Sequence, residues 1–185
     1  VNWDEEWKSV IQDPGASFSG LGVMLWGKSV YGDDAQAAWE KLAPKVRTVT
    51  AGWAEAYGMF TDGEADMVFS YTTSPAYHIM AEEDLTKSAA IFEEGHYMTA
   101  ELIGKIASTD QPELTDQFMS FILTDAFQTI LPEGNWSYPA KLDFEKLPAP
   151  FPTLPTPPKA LLYSEEQAAA LRDPALEEWL SALGR

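Results

Sequence analysis

Three kinds of side chain in this sequence could do chemistry: histidines close to carboxylates, hydroxyls beside glycines, and aromatics where apolar runs end. His78 stands four residues before Glu82, with Glu83 next, and His96 follows Glu93 and Glu94. A His–Glu pair at i, i+4 shares one helix face and could hold a metal, which would suit a metal-dependent hydrolase using His78 or His96. No HExxH or GxSxG motif accompanies them, and a neutral histidine near solvated glutamates is the commoner arrangement. Ser17-Phe18-Ser19-Gly20-Leu21-Gly22 places hydroxyls and glycines at the start of an apolar run. Free N–H groups there would suit an anion or a hydroxyl, although the same residues also make a plain N-cap. The third glycine of a dinucleotide fingerprint is missing and no GKS or GKT loop occurs, so nucleotide motifs fail. The aromatics say more. Trp53 follows Gly52 at a strand-to-helix junction, Tyr71 ends an apolar run that gives way to Thr72-Thr73-Ser74, and Trp136 sits in a Gly-Asn-Trp loop. One aromatic is usually core. Three at such junctions point to a ligand site, because open α/β sheets bind beyond the carboxyl ends of their strands and aromatic faces stack on rings or attract cations.

The elements that must position these residues follow from turn chemistry and periodicity. Asp13-Pro14-Gly15 is a turn, and a buried helix is expected from near Ser19, carrying Leu21, Leu25, Trp26 and Val30. Residues 33–42 read as a second helix ended by Pro44, 46–50 as a strand, and 52–60 as a helix stopped by Thr61-Asp62-Gly63. The near-continuous apolar run at 66–71 predicts a strand covered on both faces. Ser74-Pro75-Ala76 starts a helix, and 96–106 reads as a strand. From Pro112 a long helix is expected, with Leu114, Phe118, Phe121, Ile122 and Ile130 at helical spacing. A loop at 131–138 follows, then an extended strap at 148–158 holding six of the thirteen prolines, and a capping box at Ser164-Glu165-Glu166-Gln167 that opens a terminal helix to Gly184. Alternating strands and helices predict an α/β fold, with about five strands in one sheet and helices on both faces.

Composition narrows the function classes. The 185 residues carry 12 Lys+Arg against 29 Asp+Glu, a net charge of −17 that repels nucleic-acid phosphates and anionic lipid. No apolar run approaches the ~18 residues that span a bilayer, so membrane insertion is not expected. The absence of cysteine excludes disulfides, thiolate catalysis and Cys-ligated metals. The opening Val1-Asn2-Trp3, without Met or signal peptide, suits a processed or partial chain.

The stretches DPGASFSGLGVMLWGKSVYGDDAQAAWEKLAPK, VTAGWAEAYGMF, GEADMVFSYTTSPAYHI, EEGHY and LPEGNWSYPA closely resemble the periplasmic thiamine-binding proteins, the solute-binding subunits of bacterial thiamine ABC transporters. SYTTSPAYH and GNWSYP are specific to that family, whereas DPxxSxxGLG is shared with wider iron, polyamine and sulfate relatives. The resemblance implies a type II periplasmic-binding fold, two α/β lobes clamping a ligand, of which this chain looks like the C-terminal part. Residues 1–12 would then be a hinge or opening segment, 13–110 the second α/β lobe, and 111–185 a segment returning to the first lobe.

Carried over residue by residue, the resemblance makes Ser17, Trp53 and the segment Tyr71, Thr72, Thr73 and Ser74 ligand contacts, with Tyr77 and Trp136 lining the pocket. Phe18 occupies a position where the family has a second serine. It implies no catalytic residue, no resident metal and no cofactor. Thiamine or one of its phosphates would be the cargo, the permease subunit the partner and the periplasm the location. The chemistry suits that ligand: Tyr and Trp faces can stack the aminopyrimidine and attract the fixed charge of the thiazolium. Ferric iron is the rival ligand, but iron-binding relatives use adjacent tyrosines, and Tyr71 is flanked by Ser70 and Thr72. A pure interaction domain is the rival of another class.

Overall fold

In the computed structural model, which describes residues 6–184, the chain forms β1 (Ser9–Gln12), α1 (Phe18–Tyr31), α2 (Ala35–Leu42), β2 (Val46–Thr50), α3 (Trp53–Thr61), β3 (Met67–Val68) and α4 (Ser74–Ala81). There follow β4 (His96–Tyr97), α5 (Pro112–Phe121), α6 (Asp125–Gln128), α7 (Leu131–Gly134), β5 (Ala160–Leu161) and α8 (Glu165–Leu183). The chain divides into two compact units. The first takes the residues up to Ser70, Phe92–Thr99 and the residues from Pro157 onward; the second takes Tyr71–Ile91 and Ala100–Thr156. Each unit therefore draws on both sides of the 13–110 and 111–185 segments expected from sequence.

The first unit is built on a parallel sheet of order β2-β1-β3. Alternation along β1 sends neighbouring side chains to opposite faces. Ile11 joins Val23, Met24, Trp39, Val46, Ala175 and Trp179 from α1, α2, β2 and α8, while Val10 packs with Ala56 and Ala65 on the α3 side. Helices on both faces are thus present, as the α/β reading required. Trp39 and Trp179 meet edge to face at 5.3 Å in the larger core. Gly27 makes room for this pair, since a Cβ there would lie 2.5 Å from the Trp39 indole nitrogen. Lys28 of α1 is buried and reaches the Glu178 carboxylate of α8 at 2.9 Å. Beside this sheet, β4 and β5 pair in parallel as a separate two-stranded sheet. Trp26 of α1 steadies the segment around β4 by donating to the Gly95 carbonyl at 2.8 Å and packing on Phe92 at 5.2 Å.

The second unit contains α4 to α7 around a core of Ala76, Phe151 and Leu154, with Met80, Trp136 and Leu147 packed on it. Gln128 is buried and fully used: its amide donates to the Ile122 carbonyl at 2.7 Å and accepts from the Lys141 N–H at 2.9 Å.

Several expectations are corrected. The single five-stranded sheet is two sheets of three and two strands among the described residues. The opening segment, for which no structure was expected, falls partly outside the described residues, and its last four residues form the central strand β1. The first helix starts at Phe18, one residue before the expected Ser19. Of the expected strand at 66–71, β3 keeps two residues. The expected strand at 96–106 is also two residues long, because its only partner among the described residues, β5, is that short; Leu102 and Ile106 beyond it are 90% and 72% exposed. The long helix from Pro112 breaks after Phe121, where the Thr124 hydroxyl donates to the Phe121 carbonyl at 2.6 Å and offers the backbone an alternative to the next turn. Residues 131–134 of the expected loop form α7. The proline-rich segment is no simple strap either: Phe151–Thr153 turns as a 3-10 helix, and Phe151 and Leu154 are buried in the core of the second unit.

Candidate functional site

In the first unit the residues of interest stand at the carboxyl edge of the parallel sheet. After β1 the Asp13 carboxylate accepts from the Gly15 N–H at 2.7 Å, and the Asp13 N–H donates to the Thr50 carbonyl at the end of β2 at 2.9 Å. Ser17 then caps α1, its extended backbone (φ −126°, ψ 137°) turning the hydroxyl onto the Gly20 N–H at 3.4 Å. Ser17 and Ser19 also share a hydrogen bond of 2.9 Å. Gly20 is obligatory at this point, since a Cβ would come within 2.4 Å of the Asp13 carbonyl oxygen. Phe18 is 57% exposed. The N-terminus of α1 therefore presents the Ser17 hydroxyl and an aromatic ring, with the Ser19 hydroxyl buried behind them.

Trp53 opens α3 directly after Gly52. Its ring stacks on Tyr57 at 4.6 Å, one helical turn on, and its indole N–H donates to the Ser70 hydroxyl at 2.9 Å. The end of β3 is held at the residue before: the Gln12 side-chain amide donates to the Phe69 carbonyl at 3.1 Å. The other end of that amide, Gln12 Oε1, is buried and has no hydrogen-bond partner among the described residues. Sequence reading passed over both Gln12 and Tyr57. The i, i+4 spacing of Trp53 and Tyr57 was a usable signal; nothing local marks Gln12.

In the second unit Tyr71, Thr72, Thr73 and Ser74 form one closed turn at the start of α4. The Ser74 N–H donates to the Tyr71 carbonyl at 3.0 Å, and the Tyr71 N–H donates to the Ser74 hydroxyl at 3.3 Å. Thr73 is buried, while the Tyr71 ring is 41% exposed. Burial, with a smaller contribution from the Glu101 charge, raises the Tyr71 hydroxyl pKa above its ordinary value of 10.0. The side chain is therefore a neutral phenol at physiological pH. Tyr77, also on α4, meets Trp136 edge to face at 5.3 Å. Trp136 takes a left-handed backbone (φ +50°), a conformation that costs a non-glycine residue ~1 kcal/mol or more and is kept only where surroundings enforce it. The expected ligand residues thus gather within each unit: Ser17, Phe18 and Trp53 along one sheet edge, and Tyr71–Ser74 and the Tyr77–Trp136 pair around α4.

The histidines are accounted for differently. His78 is buried, and its Nδ1 lies 2.6 Å from Glu82. With Asp84 these residues form a group whose potential ligand atoms lie within 4.8 Å of one another. The Asp84 carboxylate already accepts from the Thr86 N–H at 2.7 Å and is held down to about 2, by its Thr86 hydrogen bonds first and the Lys87 charge after them. His96 Nε2 accepts from the Phe92 N–H at 3.1 Å, and burial lowers its pKa.

No protein-family model matches the chain. Among curated proteins it is 47% identical over all 185 residues to the thiamine-binding periplasmic protein of Escherichia coli (strain K12), and 46% identical over the same length to that of Salmonella typhimurium. A third relative, the thiamine-binding periplasmic protein of Haemophilus influenzae, is 37% identical over 131 residues. Among solved structures, a periplasmic thiamin-binding protein superposes on 100% of the chain with a TM-score of 0.94 at 47% identity, and the chain covers 57% of it. The chain spans 56% of the length of the first two relatives. Over that part of their length the chain is similar in sequence and in fold to the periplasmic thiamine-binding proteins.

Proposed function

We propose that this chain belongs to the ligand-capturing component of a bacterial thiamine importer, which takes up thiamine or its phosphates in the periplasm and hands them to a membrane permease. The observation that carries the reading is the 46–47% identity over all 185 residues to proteins named for thiamine binding. In this reading the protein is a binder and needs no cofactor, since capture and release make and break no bond. In the first unit Trp53, and in the second Tyr71, Tyr77 and Trp136, are aromatic faces of the kind that stack on an aminopyrimidine or attract the fixed charge of a thiazolium. Ser17, with Phe18 beside it, and Thr72, Thr73 and Ser74 supply hydroxyls and helix-start N–H groups for the hydroxyethyl tail or a phosphate on it.

Thiamine is favoured over ferric iron as cargo because iron-binding relatives use adjacent tyrosines, and Tyr71 is flanked by Ser70 and Thr72. Calorimetric titration with thiamine and with ferric citrate tests the choice. Saturable thiamine binding without iron binding is expected; iron binding with no response to thiamine would reverse the assignment.

A further inference from the structure

Glu101 belongs to no motif in the sequence, yet the fold ties its carboxylate to the aromatic residues of the second unit. Its Oε1 accepts from the Asn135 side-chain amide at 2.9 Å, and the same amide reaches the Ser137 hydroxyl at 3.2 Å, so the neighbours of Trp136 hold the carboxylate in place. Trp136 in turn contacts Tyr77 at 5.3 Å. The Glu101 charge also reaches the Tyr71 hydroxyl, where it adds to the effect of burial. Among the described residues no lysine, arginine or histidine forms an ion pair with Glu101. Glu101 is therefore a carboxylate without an ion-pair partner among the described residues, bonded to the Asn135 side chain next to Trp136, which packs on Tyr77.

We propose that Glu101 is a specificity-determining residue that supplies the counter-charge for the ligand's fixed cation and favours thiamine over its phosphate esters. The inference rests on the thiamine reading above and adds a preference within it. Aromatic faces bind a ring whether or not it is charged, so they discriminate weakly between thiamine and thiamine diphosphate. A carboxylate discriminates by sign: it attracts the thiazolium and repels a diphosphate tail.

The test is calorimetric titration of the protein that joins this chain to the remaining length of its relatives, and of its Glu101→Gln and Glu101→Lys variants, with thiamine and with thiamine diphosphate. For a solvent-exposed pair, Glu101→Gln is expected to weaken thiamine binding by up to about five-fold at low ionic strength. Thiamine diphosphate should be unaffected or bind more tightly, so the ratio of the two affinities falls, and Glu101→Lys should lower it further. The difference should shrink at about 1 M salt, where the Debye length is about 3 Å. An unchanged ratio, including equal weakening of both ligands, overturns the role of Glu101 and leaves the thiamine reading standing. A wild-type protein of its relatives' full length that binds neither ligand overturns the thiamine reading, and this inference with it.

Discussion

A fixed positive charge cannot be removed by losing a proton, so the residues that meet it must do so with electrons they hold permanently. In the proposed reading the Tyr71 ring would do this with its face. An aromatic face against a desolvated cation is worth ~2 kcal/mol or more, against ~0.5–1 when exposed. A neutral hydroxyl contact such as that of Ser17 nets ~0.5–1.5 kcal/mol. Tyr71→Ala should therefore cost more thiamine affinity than Tyr71→Phe, which keeps the face, and more than Ser17→Ala. Titration of the three variants checks the ranking; Phe as poor as Ala at position 71 would remove the stacking role. At this scale the sequence was informative wherever a residue's neighbours explain it. Ser17 before a helical run, Gly52-Trp53 at a junction and Tyr71-Thr72-Thr73-Ser74 at a strand end all carry their context with them. Gln12 and Glu101 do not. Gln12 finds its partner carbonyl 57 residues away and Glu101 its amide 34 residues away, and no spacing rule encodes such meetings.

Element geometry follows the same division between local and distant causes. The α8 capping box forms as read, with Ser164 and Gln167 bonded reciprocally, because a cap is settled within one turn. Strand length is settled by the partner. The apolar run after His96 could not reveal that β5 offers only two residues to pair with, nor could the helical spacing beyond Pro112 show that Thr124 would turn the chain out. Two predictions belong here. Gly20→Ala places a methyl group 2.4 Å from the Asp13 carbonyl oxygen and should destabilise the first unit by about 1–3 kcal/mol, the usual cost of overpacking. Urea unfolding with an unshifted midpoint would contradict that contact. His96 gives the second. Its Nε2 must stay unprotonated to accept from the Phe92 N–H, and burial depresses its folded pKa below the ordinary 6.5. The unfolded state therefore takes up the proton first, so this contribution is intact above about pH 6.5 and is lost as pH falls through the folded value. His96→Phe should flatten the slope of stability against pH between 7 and 5, measured by denaturant titration; an unchanged slope would assign it to other groups.

At the scale of the molecule, the chain has 56% of the length of the relatives it matches. Pockets gain affinity by removing most of a ligand's surface from water. A protein that joins this chain to the remaining length of its relatives should consequently bind thiamine more tightly than the 185 residues alone, and calorimetry on both forms decides; equal tight affinity would place the whole site within this chain. The first unit is also scattered along the sequence, and α8 supplies Ala175, Trp179 and Leu183 to a core otherwise drawn from β1, α1, α2 and β2. That arrangement has a consequence in time. A ribosome releases Trp39 long before Trp179, so throughout the synthesis of the intervening residues the larger core stands open on the side that α8 will cover. Until then Trp39 lacks its aromatic partner and the Lys28 ammonium lacks its carboxylate.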